Sequence, residues 1–112
     1  MKYRVHMSCW DCVERHYYTT EIDGKDKMDA AYKARIEYAN STQFPNRLSN
    51  YQFEDKVEES HIHWVVEADG KHLYPSDFQF TTYDCGHYVS FNELCKMIDS
   101  GVITVNRDKL NN

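Results

Sequence analysis

Residues 2–22, KYRVHMSCWDCVERHYYTTEI, carry the pattern that decides the fold. Tyr3, Val5 and Met7 alternate with Lys2, Arg4, His6 and Ser8, the period-two signature of a half-buried strand. Past Cys9-Trp10-Asp11-Cys12, His16, Tyr18, Thr20 and Ile22 alternate with Arg15, Tyr17, Thr19 and Glu21. Consecutive aromatic and β-branched residues favour a pleated surface over a helix. The stretch therefore predicts a hairpin, with strands at about 2–8 and 14–22 joined through CWDC.

Outward from the hairpin, Asp23-Gly24-Lys25-Asp26 breaks the strand and Asp26 is a suitable helix N-cap. From 27 to about 40 the apolar residues Met28, Ala31, Tyr32, Ile36 and Ala39 recur at helical steps, with Lys33, Arg35 and Glu37 facing the other way. Asn40-Ser41-Thr42 and Pro45 end that helix. Residues 43–60 fit two patterns. Tyr51, Phe53 and Val57 share strand parity, while Leu48 with Tyr51, and Phe53 with Val57, fit helical spacing.

Ile62, Trp64, Val66 and Ala68 alternate with His61, His63, Val65 and Glu67, which predicts a strand with both histidines on its solvated side. Asp69-Gly70 is a hairpin-turn dipeptide leading to a return strand over 71–74. A further strand follows over 78–83. Ser90-Phe91-Asn92-Glu93 is a capping box opening a helix whose stripe is Phe91, Leu94, Cys95 and Ile98, and Gly101 stops it. Residues 102–105 read as a last short strand, and 106–112 as a polar tail. The expected fold is one α+β domain over 1–112: two layers, an antiparallel sheet of about five strands with two helices on one face.

The chain has 112 residues, within the size of a single domain, and a formal charge of −5. That balance argues against non-specific nucleic-acid binding, which needs clustered lysine and arginine. Glu54-Asp55-Lys56-Val57-Glu58-Glu59 is a solvated acidic face or one that meets a basic partner. No apolar run reaches the ~20 residues of a membrane span, and the N-terminus carries no signal-peptide core. The expected compartment is the cytoplasm, where thiols stay reduced.

Reduced cysteines read as metal ligands, redox groups or core residues before disulfides. Cys9 and Cys12 have the spacing of half a zinc site at a hairpin turn. Cys85 and His87, on a later turn, are the best completion, with Cys95 as the rival fourth ligand. Four protein ligands leave no open position for water, so the expected zinc is structural, clipping the first hairpin to the last third of the chain. The alternative for Cys95 is a small buried residue of its helix stripe. His6 and His16 lie near the same turn, either supporting its ligands or standing at the surface.

Residues 3–12, a strand followed by Cys-x-x-Cys, resemble the opening of glutaredoxin-like proteins. The resemblance implies a thiol–disulfide oxidoreductase with Cys9 as nucleophile and Cys12 as resolver. The residues after Cys12 read as strand rather than helix, so the helix dipole of that family has no counterpart. No phosphate loop, nucleophile elbow or zinc-protease motif occurs. Nine tyrosines exceed what the core pattern uses; Tyr17 and Tyr38 fall off the apolar parity. Exposed tyrosine gives large contact area at small entropic cost, which favours a protein interface. The leading expectation is a non-enzymatic binding protein, an inhibitor or adaptor of a protein partner, carrying a structural zinc. The alternatives are the Cys9/Cys12 oxidoreductase and a zinc-dependent nucleic-acid-binding module.

Overall fold

The hairpin forms, with its turn at 11–14: Cys9 and Trp10, expected in the connection, pair with His16 and Arg15 as the end of the first strand. Strands β1 (Lys2–Trp10) and β2 (Arg15–Asp23) pair antiparallel, from Lys2 opposite Asp23 to Trp10 opposite Arg15. The computed structural model describes residues 1–68, 78–80, 86–101 and 103–105. Beyond the hairpin it contains α1 (Lys27–Ala39), a 3-10 turn at Asn46–Leu48, α2 (Phe53–Glu59) and β3 (Ser60–Glu67). The short strands β4 (Phe78–Phe80), β5 (His87–Tyr88) and β6 (Ile103–Val105) follow, with α3 (Phe91–Asp99) between β5 and β6. The class is α+β.

The main sheet has the order β2-β1-β3-β5, and β4 pairs with β6 in a second, two-stranded sheet. The main sheet is mixed rather than antiparallel. β5 runs parallel to β3, with His87 opposite Trp64 and Tyr88 opposite Val65. Parallel neighbours need a long crossover, and the chain between β3 and β5 is long enough to make one. The predicted hairpin turn at Asp69-Gly70, its return strand over 71–74 and the polar tail 106–112 lie outside the described residues.

Helix α1 packs across β1, β2 and β3. Asp26 caps it, its carboxylate accepting from the Asp29 amide at 2.8 Å. Gly24, where β2 turns into α1, is glycine for lack of room. A Cβ there would lie 2.8 Å from the Ala30 backbone nitrogen. The buried stripe of α1 is Ala30, Ala31, Ala34, Tyr38 and Ala39. Of the stripe expected from spacing, Met28 and Tyr32 stand on the outside, 65% and 57% exposed. Small alanines let α1 approach the sheet closely, and the close face wins over the one with the larger apolar side chains. Tyr38, expected at the surface, is fully buried, while Tyr17 is half exposed.

The core against α1 joins Tyr3, Val5, Met7 and Cys9 of β1 to Ile62 and Val65 of β3, with Tyr18 and Ile22 at its margin. Each fully buried aliphatic side chain of this kind contributes about 1.5–3 kcal/mol. Ile62 and Val65 cannot share a face in a regular strand. A bulge resolves this: His6 pairs with Trp64 while the next residue, Met7, pairs with Ile62, leaving His63 as the extra residue. The bulge overturns the solvated placement of His63. His63 and Trp64 both point to the face opposite α1, where His6, Ser8, His63, Trp64 and Val66 are buried. His61 remains exposed as expected.

Residues 43–60 follow the helical spacing, with Val57 as the buried residue of α2. In α3, Ser90 accepts from the Glu93 amide at 3.2 Å, and Gly101 ends the helix at φ +82°. Glu93 takes the Ser90 hydroxyl rather than completing a reciprocal box. Among the described residues no helix is long and apolar enough to cross a membrane.

Candidate functional site at the hairpin turn and the α1–α2 cleft

Asp11 organises the turn between β1 and β2. Its backbone N–H donates to the Glu14 carbonyl at 3.1 Å, and its Oδ1 accepts from the Val13 and Glu14 amides at 2.9 and 2.8 Å. Its Oδ2 lies 2.7 Å from His16 Nε2 and 3.4 Å from Arg47 Nε, which ties the hairpin tip to the 3-10 turn. The Glu14 amide, followed by the His16 and Val13 bonds, holds the Asp11 carboxyl down at about 2 from its ordinary 3.8. The tight turn puts Cys12 at φ +79°, a left-handed conformation rarely adopted by a residue with a Cβ.

The two thiols of the turn differ. Cys12 is exposed, whereas Cys9 is fully buried in the core against α1. Burial, reinforced by the Glu59 and Asp11 carboxylates, pushes the Cys9 thiol up to about 11. An attacking nucleophile is a thiolate, so this shift opposes a nucleophilic role for Cys9. His87 stands on β5 opposite Trp64, while Cys9 stands opposite Ser60 on the other side of β3. Four residues of strand separate those positions, roughly 13 Å along β3, and the two strands are about 10 Å apart across it. The described residues thus place Cys9 near the end of β1 and Cys12 in the adjoining turn, and do not bring His87 to them. Cys85 lies outside the described residues. Cys95 is half-buried on α3, beside the fully buried Leu94.

The donor atoms that do converge at this turn are those of Asp11, Glu14 and His16, all within 4.8 Å of one another. An imidazole nitrogen and two carboxylates are a donor set that suits a divalent ion. Within the group, His16 Nε2 faces Asp11 Oδ2 at 2.7 Å and Glu14 Oε1 at 3.5 Å, and Arg47 Nε lies 3.4 Å from Asp11 Oδ2.

The linkage sign for Asp11 is that of a depressed carboxyl. Its contribution to stability is complete above the ordinary carboxyl range and is lost as pH falls from there through about 2. Asp11→Asn keeps an oxygen for the two amides but removes the charge facing His16 and Arg47. The variant is therefore expected to melt below the wild type at neutral pH, and the gap to close as acid protonates Asp11. Thermal melts across pH read this, and a gap that persists unchanged at the acid end contradicts it.

Alternation alone does not reveal a polar cluster on the sheet face opposite α1. Ser8 Oγ lies 2.6 Å from His63 Nε2 and accepts from Arg15 Nη1 at 2.9 Å. His6 Nδ1 lies 2.7 Å from Thr19 Oγ1, and its ring stacks between those of Tyr17 and Trp64. Ser8 and His63 have nucleophile–base spacing. Ser8 has no exposed surface, however, and His63 is 2% exposed. The pair satisfies buried polar groups across β1 and β3.

Exposed apolar side chains stand on the hairpin, at Trp10, Val13 and Tyr17, and also on the two helices α1 and α2. Tyr32 and Arg35 of α1 and Phe53, Glu54, Val57 and Glu58 of α2 line a cleft of about 330 Å³. Val57 is buried, and Tyr32 and Phe53 are 57% and 41% exposed. Met28, one turn before Tyr32 on α1, is also exposed. Lys56, the lone base of α2, lies over the Phe44 ring. Arg35 Nε is buried with no hydrogen-bond partner, and among the described residues Arg35 forms no ion pair with Glu54 or Glu58. Helical spacing alone assigns Met28 and Tyr32 to the core. Their excess over what the alanine stripe needs is the signal in the sequence that points outward. Compared with protein-family models, curated proteins and solved structures, the chain matches none.

Proposed function

We propose that this domain is a non-enzymatic binding module, an inhibitor or adaptor, whose protein partner docks on the α1–α2 cleft. The observation that carries the reading is the exposure of Tyr32 of α1 and Phe53 of α2 in the lining of that cleft, two large aromatic side chains that the domain does not bury for itself. A volume near 330 Å³ is at the small end of ligand pockets, which suits one or two partner side chains better than a cofactor. Tyrosine and arginine are favoured at interface centres. The raised Cys9 thiol supports the same side of the choice between binding and thiol chemistry.

Selection from an unbiased displayed-peptide library, with the Tyr32→Ala/Phe53→Ala protein as counter-target, tests this. Both side chains are exposed, so the variant is expected to keep its fold within about 1 kcal/mol. Enriched peptides are expected to lose at least about tenfold in affinity on the variant, or ~1.4 kcal/mol. Ligands that bind both proteins equally place the interface elsewhere.

A further inference from the structure

Resting on that cleft reading, we infer that the partner presents a basic segment in which one apolar side chain is flanked by lysine or arginine. The charge around the cleft is asymmetric. Helix α2 carries Glu54, Asp55, Glu58 and Glu59 against Lys56 alone, a net of −3. Lys56 is drawn to the Phe44 ring, so it does not neutralise the cleft mouth. Glu54 and Glu58 line the cleft without an ion pair among the described residues. The whole chain carries a net −5, which draws a cationic partner over longer range.

The apolar part of the match is equally defined. Tyr32, Phe53 and the buried Val57 supply the apolar lining, and the volume of about 330 Å³ suits one anchor side chain. Flanking ammonium or guanidinium groups then reach Glu54 and Glu58 at the rim. They also lie within reach of the rings, where cation–π attraction adds to the pairing. Arg35 is the one basic residue in the lining of this acidic surround. An acidic segment meets repulsion from four carboxylates, with one guanidinium to offset it.

Fluorescence anisotropy on the full chain tests this with three synthetic probes: a lysine-rich peptide carrying one Phe, the same peptide with Glu for Lys, and the lysine peptide with Phe→Ala. The first is expected to bind at least about tenfold more tightly than either of the others, and to weaken as salt is raised. Glu54→Lys/Glu58→Lys, which alters two solvent-facing positions, is expected to reverse the charge preference. Cleft-dependent peptides from the selection that are acidic or neutral overturn the inference while leaving the docking reading intact. A selection with no cleft-dependent ligand overturns both. Equal binding of the Phe→Ala probe reduces the contact to bulk charge and also overturns it. A dimer in native mass spectrometry that Tyr32→Ala dissociates makes a second copy of the chain the occupant, and likewise overturns the inference.

Discussion

Trp64→Ala is expected to destabilise the domain by about 3–5 kcal/mol, a large share of the 5–15 kcal/mol of a typical domain. Trp64 is fully buried at the centre of the sheet, and its ring stacks on His6 with centroids 5.4 Å apart. Removing it opens a large void on the face opposite α1, beside the Ser8–His63 pair. That pair depends on exclusion of water for its strength, so the loss extends beyond the transfer of the indole. Urea or thermal unfolding gives the number. A change below about 1 kcal/mol means that the bulge does not turn Trp64 inward. Trp64→Phe, which keeps a ring against His6, is expected to fall between the two.

Tyr38 carries the second large prediction, with opposite signs for two substitutions. Its ring is fully buried, stacked on Tyr18 at 4.5 Å and edge-on to Phe44 at 5.1 Å. Its hydroxyl is buried with no hydrogen-bond partner, and that burial pushes its ionisation well above the ordinary phenol range. Tyr38→Ala removes the ring and is expected to cost about 3–5 kcal/mol. Tyr38→Phe removes only the unsatisfied hydroxyl and is expected to stabilise by about 1 kcal/mol, raising the melting temperature by roughly 4 °C. Neighbouring Tyr18 is the contrast. Its hydroxyl donates to Glu37 Oε1 at 2.7 Å, so Tyr18→Phe leaves that carboxylate with one partner fewer. A destabilised Tyr38→Phe protein means that the hydroxyl has an acceptor after all.

The candidate site is legible in the sequence only in part, and the reason lies in particular residues. The acidic run at 54–59 and the surplus of aromatic residues are visible in the chain. What is not visible is that Met28 and Tyr32 face outward, because two apolar stripes run along α1 and spacing does not rank them. Close approach does: Ala30, Ala31 and Ala34 allow the backbone of α1 near the sheet, and Tyr38 fills the remaining space. The turn shows the same limit. Cys-x-x-Cys draws attention to its sulfurs, while the Asp11 carboxylate between them holds the chain by four polar contacts, two to backbone amides and two to side chains.

Local chemistry by itself determined the hairpin, the Asp26 and Ser90 caps, the Gly101 stop and the helical class of 27–39. Each depends on neighbours a few residues apart. Pairing and orientation were decided by the tertiary structure. The bulge at His63 reverses the parity of β3 midway, sending Ile62 to α1 and Trp64 to the other face. Alternation cannot register such a reversal, since one inserted residue leaves the pattern of residue types unchanged. The parallel seat of β5 beside β3 likewise comes from a crossover, which no local periodicity encodes.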